Sequence, residues 1–205
     1  MNKQLLIIAL MTGMGLTSAQ AADTGFYFGG SFGQSRVSDF SGSDVDSELA
    51  SMGISSTTTT DDKDTGWKVF AGYRMMKYLA VEAAYANLGE ITANVVATAP
   101  SAGTANVKLE NEAWTLSALG VLPLNDQFSL FARLGLNVWN VDVSASGTGS
   151  GSTAYSGSED GTDVVYGLGA AYNLTPNLNL RAEWERYDFD GGDLDFVSVG
   201  LGWSF

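Results

Sequence analysis

The chain has 205 residues, a formal net charge of −13, and neither cysteine nor histidine. This acidic balance argues against a nucleic-acid partner, because binding to phosphates depends on Lys and Arg. The lack of cysteine excludes a disulfide framework and a lipid-modified cysteine. The lack of histidine removes the most common general base of enzymes.

The first 21 residues have the order of a secretory signal peptide. Lys3 supplies a short positive region, residues 5–16 form an apolar region, and Ala19-Gln20-Ala21 is a small-residue cleavage site. The apolar run is too short for a membrane-spanning helix. We therefore predict a cleaved signal peptide at residues 1–21 and a single domain at residues 22–205.

Eight later segments alternate apolar residues with small or polar ones, as β-strands with two different faces do. They are residues 25–35, 66–74, 78–89, 112–122, 127–143, 163–173, 177–187 and 195–205. The last segment is the clearest, because its apolar face ends with Trp203 and Phe205. The faces of the fourth segment stay unassigned, since Leu116 and Leu119 have opposite parity and a β-bulge there would account for the change.

Each segment is about as long as a tilted strand needs to cross hydrocarbon. An even number of strands closes a sheet without an exposed edge, which is the only β arrangement that lipid permits. A soluble sandwich with its faces exchanged has the same alternation. The signal peptide, the terminal Phe205 and the alternation of short with long connections favour the membrane. The predicted fold is all-β, an eight-stranded antiparallel up-and-down transmembrane β-barrel in the outer membrane.

The predicted connections alternate in length, as they do in outer-membrane barrels. Short turns at residues 74–77, 123–126 and 174–176 are expected on the periplasmic side. Long polar links are expected as loops on the outside, at residues 37–65, 90–111 and 144–162. Residues 43–52, within the first link, have the composition of one or two helical turns.

Aromatic residues on the apolar face fall at two levels of the predicted barrel. The level near the short turns contains Phe26, Tyr73, Phe128, Tyr172, Trp203 and Phe205. The other level contains Trp67, Tyr85, Tyr166 and Trp184. Such girdles are typical of the two membrane–water interfaces, whereas packing inside a soluble sandwich is the alternative.

Three stretches resemble the OmpA-type transmembrane barrel of Gram-negative bacteria. They are YLAVEAAYANLG at residues 78–89, FARLGLNVW at residues 131–139, and YNLTP with LRAEW at residues 172–184. The resemblance implies insertion by the outer-membrane barrel assembly machinery, with Trp203 and Phe205 in the terminal strand as its recognition signal. Because the chain ends at Phe205, the family's peptidoglycan-binding domain is expected to be absent.

The resemblance also implies a lumenal Glu on the third strand facing an Arg on the seventh, and Glu82 and Arg181 match these positions. The alternation places four more charged residues on the same face: Lys68, Arg133, Glu183 and Glu185. The family's Lys on strand four and Glu on strand six correspond here to Ala118 and Ala171. We therefore predict that Glu82 and Arg181 form a closed gate, with no alternative partner for either charge.

The sequence bears on three classes of function: an enzyme, a pore, and a structural or surface-interaction protein. An enzyme is rejected, and we expect no catalytic residues, cofactor or metal site. A narrow pore for small ions is compatible with inward glycines that leave room for water, although eight strands enclose little space. A structural or surface-interaction role is the main prediction; a porin-like diffusion channel and a loop-mediated adhesin are the alternatives.

The expected partners of a monomeric barrel are outer-membrane lipid and lipopolysaccharide. Acidic residues concentrate in the predicted loops: Asp39, Asp44, Asp46, Glu48, Asp61, Asp62, Asp64, Glu159, Asp160 and Asp163. They either keep the surface soluble or join lipopolysaccharide phosphates through divalent cations, which prefer carboxylate oxygens.

Overall fold

The protein is described by a computed structural model that covers residues 24–38, 42–61, 63–99, 101–148, 152–189 and 192–205. The predicted signal peptide lies outside the described residues. Within them the elements are β1 Gly25–Ser38, α1 Gly42–Ser51, β2 Ser55–Asp61, β3 Lys63–Met76, β4 Leu79–Ala99, β5 Gly103–Pro123, β6 Phe128–Thr148, β7 Ser152–Asn173, β8 Leu178–Phe189 and β9 Gly192–Ser204. No helix in this part of the chain is long and apolar enough to cross a membrane.

Eight strands close into an antiparallel ring. Neighbouring strands pair in chain order from β3 to β9, and β1 pairs with both β3 and β9. Strand β2 stands outside this ring and pairs with the far half of β4. The predicted eight-stranded up-and-down barrel is confirmed. We call the end with the short turns the turn end and the opposite end the sheet end.

The apolar face of each strand points away from the barrel axis. Leu134 and Leu168 on this face are 63% and 62% exposed, whereas Lys68 and Glu82 on the inner face are each 1% exposed. Along β6 the outward positions run from Phe128 to Val138, which gives an apolar band of roughly 25 Å at the usual rise and tilt. This inside-out arrangement is the one that a barrel surrounded by hydrocarbon requires.

Aromatic rings border the apolar band at both ends. At the turn end, the rings of Phe26 and Tyr73 lie 4.7 Å apart. At the sheet end, the Tyr85 ring lies 5.5 Å from that of Trp67 and 4.9 Å from that of Trp114. Aromatic rings therefore contact one another at both predicted levels. Trp114, whose face the sequence left unassigned, belongs to the second level.

The bulge expected in the fourth segment lies in the neighbouring strand instead. Strand β5 alternates without interruption, but the pairing of β4 with β5 shifts by one residue between Asn87 and Glu90. Gly89 in this bulge has a φ of 87°, which favours glycine. Because β5 is regular, Leu119 faces the lumen and Ala118 faces outward, so Ala118 does not occupy the lumenal position that the resemblance assigned to it.

The long polar links are largely β-strand, so the expectation of loops is wrong. Beyond the barrel, β4 pairs with β2 and β5, β5 with β6, and β6 with β7. We call this five-stranded extension the outer sheet; it comprises residues 55–61, 91–99, 103–111, 139–148 and 152–161. Its Thr and Val residues suit a pleated surface with both faces partly wet.

Helix α1 packs on the edge of the outer sheet at β2. The Asp46 carboxylate accepts hydrogen bonds from the Ser56 hydroxyl at 2.7 Å, the Thr58 hydroxyl at 2.7 Å and the Thr58 amide at 3.0 Å. Gly42 allows the close approach, because a Cβ atom there would meet the Thr58 carbonyl. The helical turns expected at residues 43–52 are present.

Inward glycines make room for aromatic side chains. A Cβ atom on Gly29 would meet the ring of Phe70, one on Gly72 the ring of Tyr27, and one on Gly169 the ring of Phe131. The expectation that these glycines leave space for water near the wall is therefore wrong at these three positions. The rings take up that space and narrow the lumen near the turn end.

We predict that Gly169→Ala lowers the free energy of unfolding by about 1–3 kcal/mol, because the added methyl group overpacks the Phe131 ring. Urea unfolding followed by tryptophan fluorescence measures this loss. The matched control is Gly120→Ala, whose Cβ meets no atom within 4 Å. Shortening the ring with Phe131→Leu should reduce the cost of Gly169→Ala; equal costs in both backgrounds would contradict the contact.

We predict that the α1–β2 contact weakens only in strong acid. Hydrogen bonds from Thr58 and Ser56 lower the pKa of Asp46 below its usual value of about 3.9. Because the folded-state pKa is the lower one, the stabilisation is complete above about pH 4 and is lost as pH falls through the folded pKa. The Thr58 amide chemical shift against pH measures this; a midpoint above about pH 4 would contradict it, and Asp46→Asn should abolish the titration.

Candidate functional site in the barrel lumen

The six charged residues predicted to face the lumen all lie in its central part and are buried. They are Lys68 on β3, Glu82 on β4, Arg133 on β6, and Arg181, Glu183 and Glu185 on β8. The two-residue period of β8 puts its three charges on one face. Three cations meet three anions, and we call this group the ionic cluster.

Arg133 lies at the centre of the ionic cluster. Its Nη1 donates to Glu185 Oε1 and its Nη2 to Glu82 Oε1. The same Nη2 lies 3.3 Å from Glu183 Oε2. One planar guanidinium group therefore contacts all three carboxylates, which a Lys ammonium could not do with the same geometry.

Arg181 and Lys68 complete the network. Arg181 Nη1 donates to Glu82 Oε2 at 2.8 Å, and its Nε lies 3.0 Å from Glu183 Oε1, an ion pair without hydrogen-bond alignment. Lys68 Nζ donates to Glu183 at 3.0 Å and to Glu185 at 2.5 Å. Each carboxylate therefore has at least two cationic partners, which offsets its loss of hydration.

The structure brings Glu82 and Arg181 together, but not as an isolated pair. Arg133 is a second cation for Glu82, and Glu183 is a second anion for Arg181. The expectation that neither charge has an alternative partner is therefore wrong. The role of Glu82 and Arg181 as a gate stays a prediction.

Phenylalanine rings hold the Arg181 guanidinium from two sides. Its Cζ lies 4.2 Å from the centroid of the Phe70 ring and 4.7 Å from that of Phe131. A cation over a ring face is attracted by the negative π surface, and more strongly when it is desolvated. These contacts join the ionic cluster to the apolar side chains at the turn end.

An apolar layer fills the lumen on the sheet-end side of the ionic cluster. It consists of buried Ala86, Leu88, Ala113, Val165, Tyr187, Leu194 and Phe196. Tyr187 and Phe196 are each 0% exposed. This layer was not predicted from the sequence, although Tyr187 and Phe196 occupy inward positions on their strands and their size is a signal for a filled lumen.

A second apolar layer lies on the turn-end side and contains Ala80, Leu119, Val121 and Phe131. Beyond it a cavity of about 540 Å³ opens at the turn end. Side chains of a water-filled pore would be solvent-exposed, whereas those of the ionic cluster and of the sheet-end layer are almost completely buried. The described part of the lumen is therefore closed at mid-height in this conformation.

The predicted terminal signal lies at the turn end of the barrel. Trp203 and Phe205 both point outward and are 43% and 50% exposed. The Phe205 ring lies 5.7 Å from that of Phe28. Their role in assembly stays a prediction.

The family model of the outer membrane protein beta-barrel domain matches residues 6–205. The chain belongs to this family. Outer membrane protein A of Klebsiella aerogenes is 26% identical over 215 aligned positions, which cover 100% of this chain and 56% of that protein. The chain thus spans about half the length of the curated relatives it matches.

Solved structures share the fold. Ail, the attachment invasion locus protein of Yersinia pestis, matches with a TM-score of 0.56 and 16% identity over 90% of this chain and 100% of Ail. The outer membrane protein OprG of Pseudomonas aeruginosa matches with a TM-score of 0.51 and 14% identity over 90% of this chain and 98% of OprG. This OmpA-like β-barrel is therefore located in the outer membrane.

The proteins that match this chain are outer-membrane barrel proteins. That this chain has no enzymatic activity stays a prediction. Among the residues that the structure describes, no group of three or more acidic side chains is placed to hold a metal ion.

We predict that Arg181→Ala and Glu82→Ala each destabilise the barrel by about 3 kcal/mol, because each leaves a buried charge with fewer partners. The double variant should cost less than the sum of the two, as measured by urea unfolding. Conductance in planar bilayers should stay at the parent level for all three variants, since the sheet-end apolar layer remains in place.

The matched control is the exposed pair of Glu90 and Lys108, whose charged atoms lie 2.8 Å apart. A double-mutant cycle on this pair should give a coupling free energy of at most about 1 kcal/mol. Additive effects of Glu82→Ala and Arg181→Ala would contradict the network, and raised conductance in either single variant would show that the apolar layer is not a barrier.

Proposed function

We propose that this OmpA-like barrel is a surface-interaction protein, in which a closed barrel anchors an acidic β-sheet outside the outer membrane. The filled lumen supports the anchoring role, because an occupied centre leaves no path for solutes in the described residues. The outer sheet supports the interaction role. Strand β5 continues beyond the aromatic level of Trp114 for roughly 26 Å, from Glu112 back to Thr104. Over this length it pairs with residues 140–148 of β6.

The observation that carries this proposal is a group of carboxylates on the outward face of the outer sheet and at its base. Its members are Glu90, Glu110, Glu112, Asp142 and Asp160, which we call the acidic strip. Glu110 lies directly opposite Glu90 on β4 and Asp142 on β6. Like charges directly opposite one another destabilise a sheet, so their presence here favours a role in binding over a role in stability.

A partner for the acidic strip has positive charge. Lys108 lies on the same face, where its ammonium group neutralises Glu90 at 2.8 Å and leaves the other four carboxylates in excess. Carboxylates at exposed positions attract a basic protein surface and repel polyanions. Ail was solved in complex with the heparin analogue sucrose octasulfate. The acidic strip disfavours a ligand of that charge here.

The remaining candidates have weaker support. A small-ion pore or porin-like channel requires a path through both the ionic cluster and the sheet-end apolar layer. Bridging of lipopolysaccharide phosphates by divalent cations would use the same carboxylates, but the described residues hold no convergent set of three for a metal ion. A loop-mediated adhesin differs from the proposed function only in its binding surface, which would be loops and not the outer sheet.

We predict that the outer sheet is exposed on intact cells and the turn end is not. Because the chain has no cysteine, a single introduced cysteine is a unique reporter. A membrane-impermeant maleimide should label Ser101→Cys, which is exposed at the far end of the outer sheet, without permeabilisation. The matched variant Gln127→Cys, exposed at the turn end, should react only after permeabilisation; the reverse pattern would invert the orientation.

We also predict that the purified barrel in non-ionic detergent binds beads coated with a basic polypeptide and not heparin-coated beads. The variant Glu110→Gln, Asp142→Asn, Asp160→Asn should lose most of this binding. A control with the same change in net charge, Asp44→Asn, Glu48→Gln, Asp126→Asn, should retain it. Equal losses in both variants would show that net charge alone, and not the acidic strip, determines binding.

A further inference from the structure

The cavity at the turn end has an apolar inner wall and a polar mouth. Ala80, Leu119, Val121 and Phe131 line its inner part, and the Arg181 guanidinium also reaches it. Its volume of about 540 Å³ lies in the range of pockets that bind small molecules. The proposed surface function uses the opposite end of the barrel and does not explain this cavity.

Basic residues are concentrated at this cavity in a chain that is strongly acidic. Of the ten Lys and Arg residues in the whole chain, three line the cavity: Arg74, Lys77 and Arg181. Of the 23 Asp and Glu residues, one lines it, Asp126. Among the described residues that line the cavity, cationic side chains therefore outnumber anionic ones, the reverse of the balance in the whole chain, and this favours an anion.

One buried donor at the inner end of the cavity is unpaired within the described residues. Arg181 is 5% exposed, and its Nη1 is bound to Glu82, but its Nη2 has no hydrogen-bond partner. Buried polar atoms of native proteins almost always have a partner, and those without one call for an explanation. Arg181 lines the cavity, so an oxyanion bound at the inner end would lie beside the guanidinium group that carries this nitrogen.

From these observations we propose that the turn-end cavity binds a small organic anion that has an apolar body, of the class of medium-chain monocarboxylates. The carboxylate pairs with the Arg181 guanidinium group. The hydrocarbon lies against Leu119, Val121 and Phe131. Arg74 and Lys77 at the mouth attract the anion from solution, and Glu82 and Glu183 behind Arg181 limit the ligand to a single negative charge.

The test is a titration of the whole barrel in lipid nanodiscs with octanoate, followed by backbone amide chemical shifts. The amides of Ser129 and Asn179, which line the cavity, should shift and saturate, while that of Val165 in the sheet-end layer should not. Octylammonium tests the sign of the charge, and inorganic phosphate tests the need for an apolar body. Neither should give a saturable shift.

Three variants connect the binding to the cavity. Val121→Trp fills the cavity and should abolish saturation. Arg74→Gln with Lys77→Gln should weaken binding severalfold. Arg181→Met with Glu82→Gln, which keeps the ionic cluster neutral, should weaken it about tenfold or more, as expected for the loss of a charged hydrogen bond. The control Lys108→Gln removes a cation at the other end and should change nothing.

Saturation by octanoate together with loss in Val121→Trp supports the proposal. If the variant Arg181→Met with Glu82→Gln fails to fold, Val121→Trp and the variant Arg74→Gln with Lys77→Gln still test the proposal. A shift that rises linearly with octanoate, as partition into lipid does, would overturn the proposal. An equal response to octylammonium, or saturation that survives Val121→Trp, would do so as well.

Discussion

Every charge in the middle of this barrel is surrounded first by protein and then by lipid, so only another side chain can neutralise it. Three cations and three anions meet this constraint, with Arg133 in contact with all three carboxylates. An isolated pair would leave a buried charge whenever one partner moved. In a shared network, each carboxylate still has a cationic partner when one side chain moves. The ionic cluster therefore stabilises the middle of the barrel as a group.

The layers on both sides of the ionic cluster depend on it. Arg181 extends between Phe70 and Phe131, so the turn-end rings are positioned by a charge that Glu82 holds in place. On the other side, Tyr187 continues the inward face of β8 after Glu185 and begins the sheet-end apolar layer. Polar and apolar layers thus alternate along the axis, and the closed lumen follows from filling a narrow barrel with large side chains.

The two ends of the molecule have opposite electrostatic character. The sheet end carries the acidic strip on strands that extend beyond the aromatic level, and the turn end holds a cavity whose charged lining residues are three cations and one anion. The ionic cluster between them has no net charge, although Arg181 on its turn-end side reaches the cavity. This separation allows a surface that attracts basic partners and a cavity that attracts anions to exist on one small barrel.

The sequence by itself separated two faces in seven of the eight segments, because a strand alternates with a strict period of two, and the signal peptide, Phe205 and the lengths of the connections indicated which face meets lipid. The six lumenal charges and the predicted aromatic levels follow from that period, whereas the number of alternating segments indicated the eight-stranded ring. Only the tertiary structure decided which charges meet, since partners such as Lys68 and Glu185 are 117 residues apart and lie on strands that are not neighbours. Strand pairing also decided that Gly89 forms the bulge, that Ala118 points outward, and that the polar links become a sheet, because local composition does not specify which partner strand supplies the hydrogen bonds.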